Sequence, residues 1–331
     1  MQIRNLGTTG PSITAVGFGS WAAGGGGWAF SWGPQDDDAS IAAMIRAVGR
    51  GVSWIDTAGV YGLGHAEEVV GAALRRIPAA DRPLVFTKGG LTWDPANRTA
   101  PAKRISTPES LRKDVEASLR RLGVEAIDLF QIHWPDDYGV PFEESWGEMA
   151  RFVEEGKTRF IGVSNYTVEM LDRCEAVRHV DSLQPPLSLV NRASAGTVIP
   201  WAAAHGNGVI VYSPMQNGIL TESFSPARVA AMDDGDWRRK SGPFNEPELS
   251  RNVALRDALV PIARRLSTSV SAVAIGWVLS VPGVSGAIVG ARSPEQVEGW
   301  IDGGSVALST DDLAEIRAAL ARTGAGSGPI A

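Results

Sequence analysis

The chain of 331 residues holds a single cysteine, Cys174. That excludes an internal disulfide and any cysteine-built metal cluster. It fits a reducing compartment, and cytoplasmic residence is the expectation. Lysine is scarce, five against twenty-six arginines, and no basic block occurs. With a net charge of −6, neither nucleic acid nor an anionic membrane is expected as a partner. Only four histidines are present; His65, His179 and His205 are not spaced as ligands, and no metal is expected. The N-terminal Met-Gln-Ile-Arg-Asn-Leu-Gly lacks the apolar core of a secretory signal. The longest apolar stretch, Val270 to Ala291, is interrupted by Ser271, Ser280, Pro282, Gly283, Ser285 and Gly286. A membrane helix needs ~20 largely apolar residues, so this stretch reads as helix, turn and buried strand.

What the chain does have is 44% hydrophobic residues, enough for a sizeable core. Short apolar runs alternate with longer helical ones. The strand-like runs are Ala15–Gly19, Ser53–Asp56, Leu84–Lys88, Ile127–His133, Phe160–Val163, Ser182–Gln184, Val209–Tyr212 and Gly286–Val289. Between them, Ala39–Val48, Ala66–Leu74, Pro108–Leu122, Glu143–Glu155, Thr167–Val177, Val198–His205, Val253–Leu266 and Pro294–Ile301 read as helices. The third has Thr107 as N-cap, Pro108 at its first position and Gly123 beyond its end. Alternating β and α units predict a parallel sheet covered by helices. Eight such units fit a closed (β/α)₈ TIM barrel of α/β class, a single domain; a doubly wound open sheet is the competitor. Three insertions follow strand ends: Ala22–Gln35 with four consecutive glycines, Thr92–Arg104, and the long polar Met215–Arg251. At the C-terminal rim of a barrel they would border a site. The domain is expected to span 1–323, with 324–331 a frayed tail.

Asp56, Lys88 and His133 each close a strand-like run, and Tyr61 follows closely on Asp56. Charged residues rarely end buried strands without partners. If the sheet closes, the four side chains converge at its mouth. A phenol with a pKa near ~10 is a proton donor at neutral pH, and a nearby ammonium would lower that value. Asp56 would hold Lys88, and His133 would hydrogen-bond a bound carbonyl oxygen. The set can polarise and protonate a carbonyl, but a reduction needs an external hydride.

These residues stand in recognisable patterns. Asp56-Thr57-Ala58-(x)₂-Tyr61-Gly62, then Gly64-His65-(x)-Glu67-Glu68-(x)₂-Gly71, resembles the aldo-keto reductase pattern after the second strand. Thr87-Lys88, Asp128-Leu129-Phe130-Gln131-Ile132-His133 and Lys157-(x)₂-Phe160-Ile161-Gly162-Val163-Ser164-Asn165 resemble its third, fourth and fifth strands. Within the superfamily the chain is most similar to bacterial reductases of the inositol-utilisation and general-stress type. The resemblance implies a barrel without a Rossmann domain and hydride transfer from NADPH to an aldehyde or ketone, or the reverse oxidation of an alcohol. It implies Tyr61 as proton donor, tuned by Lys88 and Asp56, with His133 orienting the carbonyl. Ser164, Asn165 and Gln184 would hold the nicotinamide carboxamide, and Tyr212 would stack on its ring. Ser213, Met215, Gly218 and Leu220 lie in the segment resembling the strand-seven loop near the pyrophosphate. Gly290, Arg292 and Gln296 fall in the strand-to-helix turn that binds the adenosine end, with Arg292 meeting the 2′-phosphate of NADP.

The chain also departs from the family pattern. Thr221-Glu222-Ser223 replaces the usual Gly-Lys after the strand-seven loop, leaving Arg238, Arg239 or Lys240 as a basic contact. Trp300 stands where an adenine-binding Asn is usual, and Gln184-Pro185-Pro186 lacks the usual Glu-Tyr. Gly17-Phe18-Gly19 is too short for a dinucleotide fingerprint. Eleven tryptophans against four tyrosines draw attention to Trp21, Trp28, Trp32, Trp93 and Trp134 near strand ends. Trp21, Trp28, Trp93 and Trp134 are the expected substrate wall. Two rivals carry different chemistry: a nicotinamide-binding redox-sensing subunit with little turnover, and a barrel lyase using Lys88 as a Schiff base.

Overall fold

Eight parallel strands close into a barrel in the order of their appearance, which excludes the open sheet. They are β1 (Val16–Gly19), β2 (Trp54–Asp56), β3 (Leu84–Gly89), β4 (Ile127–Ile132), β5 (Thr158–Ser164), β6 (Ser182–Gln184), β7 (Gly208–Val211) and β8 (Gly286–Gly290). The structure, a computed structural model, describes residues 1–330. Closure comes from β8 on β1, with Ala287 opposite Val16 and Gly290 opposite Gly19. All eight expected runs are strands, with bounds that differ by at most two residues.

Side chains fill the interior: Trp54, Phe86, Leu129, Ile210 and Ile288 pack with Leu6 and Ile13. The Trp54 indole needs the room left by Gly17, where a Cβ would lie 2.2 Å from the ring. That is the reason for the short glycine motif on β1; it is a packing device. Trp54 Nε1 donates to the Thr14 carbonyl at 2.8 Å, so the ring is also tied by its polar edge. Leu6 and Ile13 belong to a hairpin, Ile3–Asn5 with Ser12–Thr14, which the sequence reading did not contain. Leu6 packs on Gly208, the first residue of β7, so the hairpin plugs the N-terminal end. The other end is left to the site.

The surrounding helices are α1 (Asp37–Gly49), α2 (His65–Arg76), α3 (Pro108–Leu122), α4 (Phe142–Glu154), α5 (Val168–Glu175), α6 (Val198–His205), α7 (Pro226–Ala230), α8 (Glu248–Ala258), α9 (Val260–Arg265), α10 (Val270–Ser280), α11 (Pro294–Glu298) and α12 (Thr310–Thr323). Helix α3 has the expected Thr107 cap and a left-handed Gly123. The single helix expected over Val253–Leu266 is two, α8 and α9. Pro261 has no N–H to continue the first. Helix α12 is an addition, opened by a Ser309–Asp312 capping box.

The expected frayed tail is a correction. Arg192 is 3% exposed, and its guanidinium donates to the carbonyls of Leu189, Ala325, Gly328 and Pro329. Ser327 N also donates to Val190 O at 2.9 Å. A buried guanidinium with no carboxylate beside it among the described residues is costly unless its donors are used, and the C-terminal segment supplies carbonyl acceptors. Ala325–Pro329 is therefore docked; Ala331 lies outside the described residues.

Candidate active site

Asp56, Tyr61, Lys88 and His133 meet at the C-terminal mouth. Asp56 ends β2 and Lys88 is the last residue but one of the neighbouring β3; they are 2% and 1% exposed. Lys88 Nζ lies 2.6 Å from Asp56 Oδ1 and donates to Thr57 O at 2.8 Å. The second carboxylate oxygen accepts from Gln184 Nε2 at 3.0 Å. Burial raises the Asp56 pKa, and Lys88 and Gln184 counter it. Burial lowers that of Lys88, and Asp56 counters it. Burial disfavours either charge alone, and each group is the other's compensation.

Tyr61 sits above this pair, with the ammonium 5.2 Å from its ring centroid and the His133 ring edge-on at 5.6 Å. Its phenol departs from expectation. Burial pushes the pKa well above its ordinary value, and Asp56 and Tyr212 push the same way. The lowering expected from Lys88 does not emerge, because burial, the largest cause, acts in the opposite direction. The phenol is therefore protonated. Burial, and then Lys88, hold His133 well below its usual pKa, so its ring is neutral.

The turn bearing Tyr61 is built by close backbone contact. Gly62 (φ 62°), Leu63 (φ 60°) and Gly64 (φ 104°) are left-handed, a region that favours glycine. A Cβ on Gly24 would lie 2.6 Å from Gly62 N, and one on Gly62 would lie 2.3 Å from Gly24 O. At Gly24 the glycine run of the first insertion is thus the surface on which this turn rests. From the other side Arg121 packs on Gly59 and Gly64. Its guanidinium pairs with the fully buried Glu67 at 2.6 Å, which also accepts from Thr87 Oγ1 at 2.6 Å.

A cavity of about 830 Å³ opens above the tetrad. Its lining includes Asp56, Tyr61 and His133; Lys88 lies just beneath. Ser164, Asn165, Gln184, Tyr212, Ser213, Met215, Gly218, Gly290, Arg292, Gln296 and Trp300 all line it. Leu220 does not: its side chain is core, and only its N–H reaches back to Met215 O. Asn165, at φ 63°, donates to His133 O and Ser164 Oγ, each at 3.0 Å, and accepts from Tyr212 Oη at 2.8 Å. Arg292 donates to Gln35 Oε1 at 2.6 Å and to Pro34 O. Burial, and then the nearby Arg238, lower its pKa, and Asp236 opposes them.

Among the expected aromatic residues, Trp21, Trp28 and Trp134 line the cavity and Trp93 does not. At Gly90 (φ 84°) the chain turns into a short ribbon, Leu91–Thr92 with Lys103–Arg104, which carries Trp93 away. Phe30, Trp32, Trp237 and Arg238 also line the cavity. Of the three basic candidates on the long insertion, only Arg238 lines it. Arg239 turns to Asp234. Glu222, one of the departures, accepts from Val270 N. Trp300 is buried, its indole nitrogen without a partner among the described residues.

The aldo/keto reductase family model matches residues 15–321. The chain belongs to the aldo/keto reductase family. Aldo-keto reductase YhdN of Bacillus subtilis is 33% identical over 324 residues, covering 98% of this chain and 95% of that protein. The NADH-specific methylglyoxal reductase of Escherichia coli is 29% identical, covering 94% and 96%. Among solved structures, the glycerol dehydrogenase AKR11B4 from Gluconobacter oxydans superposes with a TM-score of 0.88 at 36% identity, covering 99% of this chain and 97% of that one. Members of this family are oxidoreductases that use a nicotinamide cofactor and act on small carbonyl compounds.

Proposed function

We propose that this member reduces an aldehyde or ketone with NADPH, or oxidises the corresponding alcohol, with Tyr61 as the proton donor. The observation that carries the reading is the buried Asp56–Lys88 pair, tied to Gln184 and lying under Tyr61 and His133 at the floor of one cavity. A bound nicotinamide supplies the hydride. The chain's own residues do the rest. Tyr61, kept protonated by burial, gives its proton to the carbonyl oxygen as charge develops there. His133, kept neutral, donates a hydrogen bond that orients that oxygen. Lys88, held by Asp56, places a fixed positive charge close to the phenol ring, where it stabilises the phenolate left behind.

The donor set suits a dinucleotide. Ser164, Asn165 and Gln184 offer the donors and acceptors that an amide needs. Tyr212 offers an aromatic face. At the far end, Arg292 and Arg238 stand close enough for one to depress the other's pKa. An anion beside them relieves that repulsion, as a 2′-phosphate would. Arg238 takes the place of the basic contact missing after the strand-seven loop: it donates to Asn217 O at 3.4 Å, next to Gly218.

Titration with NADPH and NADH, followed by tryptophan quenching, tests the cofactor reading. Wild type is expected to favour NADPH, and Arg292→Ala to narrow the preference at least about ten-fold, the scale of one lost charge-assisted contact. An unaltered ratio removes Arg292 from phosphate recognition.

A further inference from the structure

We propose that Trp237 sets the size of carbonyl this protein accepts, so that its substrates are compact aliphatic carbonyls and bulky aryl carbonyls are refused. The inference rests on the reductase reading of the same cavity. Three rings stand in a column. Trp21 stacks on Tyr61, centroids 6.0 Å apart and planes 19° apart. Trp237 stacks on Trp21 at 5.2 Å and 17°. Trp32 closes the column edge-on, 5.4 Å from Trp21 and 6.0 Å from Trp237. All four rings line the cavity, and they come from three segments far apart in the chain.

The wall is rigid at its outer end. Trp237 opens a short turn, Trp237–Lys240, capped by Asp236. Asp236 is 4% exposed; it accepts from Arg238 N at 3.0 Å and from the guanidinium at 2.6 Å. That guanidinium in turn lies 4.4 Å from the Trp32 ring. Displacing Trp237 therefore breaks an aromatic stack and strains the Arg238 contacts beside it. Volume points the same way. Cavities of ~300–1,000 Å³ each hold one drug-sized ligand, whereas this one, about 830 Å³, has to take a dinucleotide and a carbonyl together. Little room remains beside Tyr61 while the column stands.

The test is the ratio of kcat/KM for naphthaldehyde to that for glyceraldehyde, with NADPH. Wild type is expected to favour glyceraldehyde. Trp237→Ala is expected to raise the ratio at least about ten-fold, the scale on which a pocket discriminates by small changes in bulk. Trp237→Phe, which restores a ring, is expected to return the ratio towards wild type. Trp237→Leu makes the same test with less disturbance of the insertion and is expected to fall between the two. An unchanged ratio in Trp237→Ala and Trp237→Leu, with both aldehydes turned over, overturns size selection and leaves the reductase standing. Turnover of neither aldehyde by wild type bound to NADPH overturns the reductase reading, and this inference with it.

Discussion

Tyr61→Phe is expected to lose at least ~10²-fold in turnover while binding NADPH as tightly as wild type. Only the hydroxyl is deleted, and the ring that stacks on Trp21 and faces His133 remains. The proposed cofactor contacts lie elsewhere in the cavity, on Ser164, Asn165, Tyr212 and Arg292. A loss confined to kcat is therefore the signature of a missing proton donor, because it removes an interaction made only in the transition state. Steady-state kinetics with a cofactor titration separates the two. A rise in KM with kcat unchanged would make Tyr61 a binding residue, and unchanged kinetics would remove it from the reaction.

Lys88→Met is expected to cost about 3–5 kcal/mol of stability, because it leaves Asp56 as an uncompensated buried carboxylate, and to abolish most turnover. The sign of its pH dependence follows from the direction of the Asp56 shift. Burial raises that pKa and Lys88 opposes the rise, so without Lys88 it stands higher still. A carboxyl with a raised folded pKa binds its proton more tightly folded than unfolded. Its contribution is fully present below the unfolded value and is lost as pH rises through the folded one. The deficit of Lys88→Met should accordingly be smaller in acid than at neutral pH, as read by denaturant melts. Adding Asp56→Asn should recover much of the stability and none of the turnover. A single variant as stable as wild type at neutral pH would show that the pair carries no buried charge.

The sequence was informative where chemistry and periodicity are local. Eight apolar runs and the helices between them marked the barrel, and the ends of β2 and β3 marked Asp56 and Lys88. Parallel strands splay their ends to one rim, so residues far apart in the chain converge once the sheet closes. Some features were readable and passed over, such as Ser309 and Asp312 at the start of α12. Others leave no local trace. The plugging hairpin is built from two three-residue strands, too short for an alternating pattern. Trp93 is adjacent to a strand end in sequence, but one left-handed glycine at 90 directs it elsewhere. Nothing in local spacing shows that Trp237 and Arg238, on the long insertion, meet Trp21 and Trp32 on the first. The phenol differed for a related reason: a lysine near a tyrosine was foreseeable, but the degree of burial, which decides the direction of the shift, was not.

Hydride transfer itself is tested most directly by isotope. Wild-type protein is given glyceraldehyde and NADPH deuterated on the transferring face of the nicotinamide C4, and the product alcohol is examined by mass spectrometry. The account predicts one deuterium on the carbinol carbon of every product molecule, with none acquired from deuterated water at that carbon. Product without the label, or label arriving from solvent, would contradict it.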